Sequence, residues 1–306
     1  MRVVVAGASG LIGTALVAHL RGRGDDVVRL VRGPARAPDE RSWDPAAGEL
    51  DPSVLRGADG VVNLGGAGLG DRRWTASYKE TIRVSRVDGT SLLSRTLAHL
   101  ADGPDHRPGV LVQGTAVGFY GDRGTTSLDE SAARGAGFIP GVVEDWELAT
   151  SAASSAGVRV ALARTGIVLA RGGALSRLIP LARLGLAGRL GRGDQHWAWI
   201  GLTDEVRALT FLLDHEVSGP VNLVSPEPAT CAEVIRALAR AFGRPAPVPV
   251  PAWALRVALG EFTSELTSSQ RVVPGVLAER GFEFTHPTLT GAIHAAVSPR
   301  ADPPGR

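Results

Sequence analysis

Met1-Arg2-Val3-Val4-Val5-Ala6-Gly7-Ala8-Ser9-Gly10-Leu11-Ile12-Gly13 opens the chain and decides how the rest is read. Val3 to Val5 is a short β-branched run, and Gly7, Gly10 and Gly13 follow it at three-residue spacing into an apolar stretch that reaches Leu20. A strand, a tight glycine turn and a helix in that order bring backbone N–H groups and the positive end of a helix to one point, as a pyrophosphate requires. Small residues kept only for close packing are the alternative, and the strand-loop-helix context favours the phosphate reading. Val3 to Leu20 can also be read as a leader or a membrane span, but three glycines punctuate it and a strand followed by a helix accounts for it. The expectation is a soluble cytoplasmic protein with no membrane partner.

Outward from this stretch, short β-branched runs alternate with longer amphipathic ones. Val27–Val31, Gly60–Leu64, Val110–Gln113 and Val158–Ala163 read as strands, and Tyr78–Leu100 and Val142–Ala156 as crossover helices. This predicts an α/β fold built on a doubly wound parallel sheet. Residues 1–170 form the expected nucleotide-binding domain, with elements around 200–225 returning to it. Residues 171–297 form a smaller interleaved substrate lobe, in which Pro220–Val224 reads as a strand and Cys231–Phe242 as a helix. The four prolines of Pro245–Pro251 lead into a helical module from about 248, and 298–306 reads as a frayed tail.

Composition narrows the chemistry. The 306 residues carry 33 Lys and Arg against 31 Asp and Glu, a net charge of +2, so no polybasic surface points to nucleic acid. A lone Cys231 permits neither an internal disulfide nor a cysteine-rich metal site, and the seven histidines show no zinc-ligand spacing, so no metal is expected. Lys79 is the single lysine and Tyr78 and Tyr120 the two tyrosines, which limits any chemistry that needs either residue. At the end of the second strand a free ribose 2′-hydroxyl is usually met by an acid and a 2′-phosphate by Arg. Here Val31-Arg32 stands nineteen residues after Gly13, with no acid before Asp39, and NADP(H) is preferred over NAD(H).

The glycine loop and Val61-Val62-Asn63-Leu64-Gly65-Gly66-Ala67 resemble the extended short-chain dehydrogenase/reductase superfamily. Arg72-Arg73-Trp74, Ala116-Val117-Gly118-Phe119-Tyr120-Gly121-Asp122, Trp146-Glu147 and Arg164-Thr165-Gly166-Ile167-Val168-Leu169 are similar to a subfamily of NADP-dependent, epimerase-like oxidoreductases. Leu259-Gly260-Glu261, Ser268-Ser269-Gln270-Arg271-Val272 and Gly281-Phe282-Glu283-Phe284 resemble that subfamily's C-terminal domain of unknown function. The resemblance implies a Rossmann-type sheet. It implies that Gly7, Ser9, Gly10, Leu11, Ile12 and Gly13 hold the pyrophosphate, that Arg32 meets the 2′-phosphate, and that Leu64, Gly65 and Gly66 lie against the cofactor. Glu80 and Arg86 are carried over as cofactor contacts, an exposed helical ion pair being the alternative, and Ile167 as a neighbour of the nicotinamide. A homodimer is common in the superfamily.

The superfamily's proton relay couples a Tyr to a Lys four residues later, because a Tyr near pKa 10 is a poor base at neutral pH. No Tyr-x-x-x-Lys exists in this sequence, and Phe138 and Val142 stand at the expected positions. Ala116 occupies the usual hydroxyl position, leaving Thr115 beside it and Tyr120 as catalytic candidates, with Glu144, Asp145 and Lys79 as further acid/base groups. Two functions follow: an NADP(H)-dependent oxidoreductase or epimerase acting on a small-molecule substrate through a non-standard acid/base group, or an NADP(H)-binding sensor or scaffold without turnover. Trp197-Ala198-Trp199 beside His196 reads as a stacking wall or as core, and Arg72-Arg73-Trp74 as an anion site or a loop-capping ion pair.

Overall fold

The computed structural model describes residues 1–101 and 109–298. The chain runs β1 (Arg2–Ala6), α1 (Leu11–Gly22), β2 (Asp26–Val31), β3 (Glu40–Ser42), β4 (Gly60–Asn63), α2 (Ala76–Ala101) and β5 (Val110–Ala116). It continues through β6 (Ser127–Leu128), α3 (Phe138–Leu148), α4 (Ser151–Ser155), β7 (Arg159–Thr165), β8 (Ile167–Leu169), α5 (Leu178–Arg183), β9 (Trp199–Gly201), α6 (Leu202–Asp214) and β10 (Gly219–Leu223). The last part holds α7 (Cys231–Arg240), α8 (Ala252–Leu259), α9 (Thr263–Thr267), β11 (Arg271–Val272), α10 (Gly275–Glu279) and α11 (Leu289–Val297).

Seven strands form one parallel sheet in the order β10-β7-β5-β4-β1-β2-β3. Parallel strands are covered on both faces, so their residues are apolar without alternation. β1 and β4 show this: Val3 to Ala6 and Gly60 to Asn63 are all buried. Val3 and Val5 meet Val62, Val112, Leu16 of α1 and Leu209 of α6 on one face; Val4 and Ala6 meet Val61, Leu111, Leu93 and Leu97 of α2 on the other. Each such side chain contributes about 1.5 to 3 kcal/mol relative to its exposed state. This is the doubly wound Rossmann-type sheet that the alternation of strands and helices predicts.

Strand order reverses between β1 and β4, and ligands of open α/β sheets bind beyond the carboxyl ends of strands at such a point. The glycine loop leaves β1 there and Leu64-Gly65-Gly66 leaves β4 beside it. The second hydrophobic core joins Leu175 and Ile179, Trp197 and Trp199, Ile235 and Leu238 of α7, Leu255 of α8 and Ile293 of α11. Cys231 is buried in this core at the first position of α7, where a Thr230/Glu233 capping box closes the helix start. β10 returns from this lobe to pair with β7, and α6 packs on α1. Ser298 follows α11 with its backbone N–H bonded to the His294 carbonyl, and 299–306, the rest of the expected tail, lie outside the described residues.

Candidate functional site

Gly7 sits at φ +77°, and a Cβ there would stand 2.6 Å from the Leu64 carbonyl carbon and 2.9 Å from the Gly65 nitrogen. A Cβ on Gly13 would run into the Gly7 carbonyl oxygen, so these two glycines let the loop, the helix and the β4 loop meet. Ser9, Gly10 and Leu11 remain exposed, Ile12 is half-buried, and Gly10 caps α1 with no side-chain bond to its first N–H groups. No acid stands in the first turn. The helix therefore presents unfilled donors and a partial positive charge to an anion.

The facing loop is held from beneath. The Gly65 N–H donates to Asn63 Oδ1 at 3.1 Å, and Asn63 Nδ2 donates to Gln113 Oε1 at 3.0 Å and to Thr90 Oγ1 at 3.2 Å. Trp146 Nε1 donates to the same Thr90 hydroxyl at 3.0 Å. The Ala67 N–H donates to Ser85 Oγ at 3.0 Å. A buried network so fully satisfied fixes its members in one arrangement, here keeping Gly65 and Gly66 open toward the β1 loop.

Arg86 of α2 lies against this loop, within 3.3 Å of where a Gly66 Cβ would be. Its guanidinium stacks over Trp146 at 5.0 Å and donates to the Ile82 carbonyl at 2.9 Å, and no carboxylate meets it among the described residues. Burial lowers its pKa to about 10. A sheltered guanidinium against Gly66 fits a pyrophosphate. Arg32 stands exposed immediately after β2, with no side-chain partner among the described residues, as a 2′-phosphate contact must. Glu80 is exposed on α2 and makes no pair with Arg86. Ile167 opens β8, half-buried, its N–H bonded to the Ala198 carbonyl at 2.7 Å.

The relay positions are filled with hydrocarbon. Ile139, Val142 and Val143 of α3 pack with Trp74, Tyr78 and Ile82, and Phe138 meets Trp74 edge-on at 5.3 Å. Thr115 and Tyr120 do not lie in an open cleft. Thr115 is buried with its hydroxyl 3.3 Å from Glu147 Oε1, and Glu147 is clamped bidentately by Arg164 at 2.7 Å on each oxygen. Arg164 Nη1 donates to the Tyr120 hydroxyl at 3.0 Å, and that hydroxyl donates to Asn222 Oδ1 at 2.7 Å. Tyr120 is fully buried, and desolvation raises its pKa despite Arg164. Tyr120, expected as a catalytic candidate, therefore sits inside the fold with its hydroxyl proton donated to Asn222. Thr115, the other candidate, is likewise buried, and its hydroxyl meets Glu147.

The other acid/base candidates are ion-paired: Glu144 with Arg134 and Asp145 with Arg83, each at 3.0 Å, and Lys79 with Glu261. Trp197 and Trp199 belong to the second core and form no open wall, and Trp74 donates to the Leu69 carbonyl at 2.8 Å. Arg73 clamps the Val257 and Ala258 carbonyls. Among the described residues no His, Cys, Asp or Glu cluster is suited to a metal ion.

Two residues escape a reading of the sequence. Phe262 reaches over from the C-terminal module to meet Trp74 at 5.7 Å and faces Gly70. Glu265, three residues later on the same helical turn, is half-buried with no hydrogen bond or ion pair among the described residues, and burial pushes its carboxyl up to about 7. Glu265 lies in a run of polar residues, and nothing local marks its burial.

Residues 3–224 match the model of the NAD dependent epimerase/dehydratase family, and 250–296 match a domain of unknown function. "Epimerase family protein Mb2239" of Mycobacterium bovis is 44% identical over 97% of both chains, and the mouse epimerase family protein SDR39U1 is 35% identical over 97% of this chain and all of its own. The crystal structure of human SDR39U1 with NADPH superposes with a TM-score of 0.87 at 31% identity, covering 97% of this chain and 99% of that one. Among the described residues no helix is long and apolar enough to cross a membrane.

Proposed function

Because this chain belongs to the NAD dependent epimerase/dehydratase family, we propose that it binds NADP(H) across the carboxyl ends of β1 and β4 and acts as an oxidoreductase or epimerase on a small-molecule substrate. The observation that carries the reading is Arg86, a sheltered guanidinium with no carboxylate partner among the described residues, set against Gly66. Arg32 supports the phosphorylated cofactor over NAD(H), as does the NADPH present in the human relative's structure. Gly7 to Gly13 and Arg86 would hold the pyrophosphate, Leu64 to Gly66 would lie along the cofactor, and Ile167 would flank the nicotinamide.

Bound there, the nicotinamide supplies or accepts a hydride. Glu265, half-buried one turn from Phe262 and with its carboxyl pushed up to about 7 by burial, is the group we propose for acid/base work. The Phe262 ring closes on Trp74 and, through it, on Phe138 at the former relay position. Fluorescence titration with NADPH tests the cofactor reading: tight binding that Arg86→Ala weakens at least tenfold is expected, and no binding by the intact chain would overturn it. A second reading, an NADP(H) sensor without turnover, draws on the apolar filling around Phe138 and Val142. Deuterium-labelled NADPH incubated with small-molecule carbonyl compounds separates the two, since transfer of label to product requires the enzyme.

A further inference from the structure

Six large apolar side chains stand exposed on one lobe: Leu181, Leu184, Leu186, Val248, Trp253 and Val257. Trp253 is 72% exposed, Leu184 and Val257 70% each, and Leu186 53%. The backbone brings their segments together. Gly188 has no Cβ, and its face is covered by the backbone of Val248; Leu190 bridges to Val250; and the Val250 N–H donates to the Arg189 carbonyl at 2.9 Å. Immediately beyond, α8 turns Leu255 into the core and leaves Trp253 and Val257, four residues apart, on its outer side.

Arginine dominates the charge around this face, with exposed Asp194, Glu233 and Glu261 at its borders and Asp194 paired with Arg192. Residues 171–193 contain five arginines and 234–260 four, with no Asp, Glu or Lys in either segment, although the whole chain is nearly neutral. All nine arginines are exposed. Arg189 and Arg236 border one hollow with Pro247 and Pro249, and Arg183 stacks on Phe242 at 5.2 Å.

We propose that this face docks on an anionic lipid surface, with Trp253, Val257 and the Leu184–Leu186 turn entering the interfacial layer and the surrounding arginines meeting lipid phosphates. Indole rings favour that layer, and guanidinium groups at its edge attract anionic headgroups. A second copy of the chain would bring like charges together and is disfavoured by the same arginines. Nucleic acid would use the arginines and leave six apolar side chains unexplained. The N-terminal apolar stretch considered above forms β1 and α1, and among the described residues no helix is long and apolar enough to cross a membrane.

The intact chain mixed with vesicles of phosphatidylglycerol in phosphatidylcholine, and with pure phosphatidylcholine vesicles, tests the proposal by co-sedimentation. Binding to the anionic vesicles alone, weakened by added salt, is expected. Of the six tryptophans, the five others are at most 8% exposed, so a blue shift of emission on binding reports Trp253 directly. Trp253→Ser with Val257→Ser should reduce vesicle affinity at least tenfold while leaving the melting temperature in place. No co-sedimentation overturns the proposal, as does binding that survives the double substitution. A DNA duplex bound as tightly as the vesicles overturns it in favour of nucleic acid. Dimerisation abolished by the same substitutions overturns it in favour of self-association.

Discussion

Arg32 and Glu205 show opposite uses of a charge. Arg32 is exposed and unpartnered among the described residues, and its value lies in what it meets. If Arg32 meets the 2′-phosphate as proposed, Arg32→Glu would replace a charge-assisted contact by repulsion. It should weaken NADPH by at least tenfold more than NADH in parallel titrations, and equal losses would show that Arg32 does not read the 2′-phosphate. Glu205 is fully buried on α6: its Oε1 accepts from the Thr165 hydroxyl at 2.8 Å, its Oε2 has no partner, and burial raises its pKa from 4.5 to about 8. The folded chain thus holds a proton that the unfolded chain releases above 4.5, so this group's effect on stability worsens as pH rises from about 4.5 to about 8. Glu205→Gln should flatten that decline and raise the melting temperature at pH 8, by an amount on the order of a few kcal/mol in stability. Glu265→Gln should remove an ionisation near 7 from the pH profile of turnover without altering NADPH affinity. Neither carboxylate is conspicuous in the sequence, because the burial that shifts them comes from distant segments. Tyr120 was equally opaque: its partners Arg164 and Asn222 lie 44 and 102 residues away.

At the scale of elements, legibility follows burial. β1 and β4 could be read because burial on both faces leaves uninterrupted apolar runs. β3, with Glu40, Arg41 and Ser42, and the two-residue β6 and β11 carry no such pattern and went unread. The helix expected over Val142–Ala156 is two, α3 beginning at Phe138 and α4 ending at Ser155. Pro140 sits in the first turn of α3, where its missing N–H would be unpaired in any case. The glycine loop was legible because its geometry is local. Gly13→Ala should collapse that geometry by pushing a methyl into the Gly7 carbonyl, abolishing NADPH binding in a titration while circular dichroism still shows the sheet.

Over the whole molecule, the C-terminal module packs Leu277 and Phe282 into the sheet core, pairs β11 with β6, and is joined to the sheet domain by polar contacts between distant residues. Asp204 is buried and accepts the backbone N–H groups of Thr285 and His286 at 2.7 and 2.8 Å. Lys79 pairs with Glu261, and Arg73 holds the Val257 carbonyl. The exposed pair is worth little, whereas losing the buried acceptor leaves two donors unsatisfied. Asp204→Ala should therefore destabilise the chain by about 2 to 4 kcal/mol, and hydrogen exchange should show α11 losing protection before the sheet. The sheet's own topology reaches further, into synthesis. β7 ends at Thr165 and its outer neighbour β10 begins only at Gly219, with the start of the second lobe between them. At ribosomal rates of about 5–20 residues per second, the nascent chain spends roughly 3 to 10 s with the apolar edge of β7 made and its partner strand still untranslated. Over that interval an unpaired strand edge is open to a neighbouring nascent chain, which makes the pace of translation through residues 166–218 a determinant of yield.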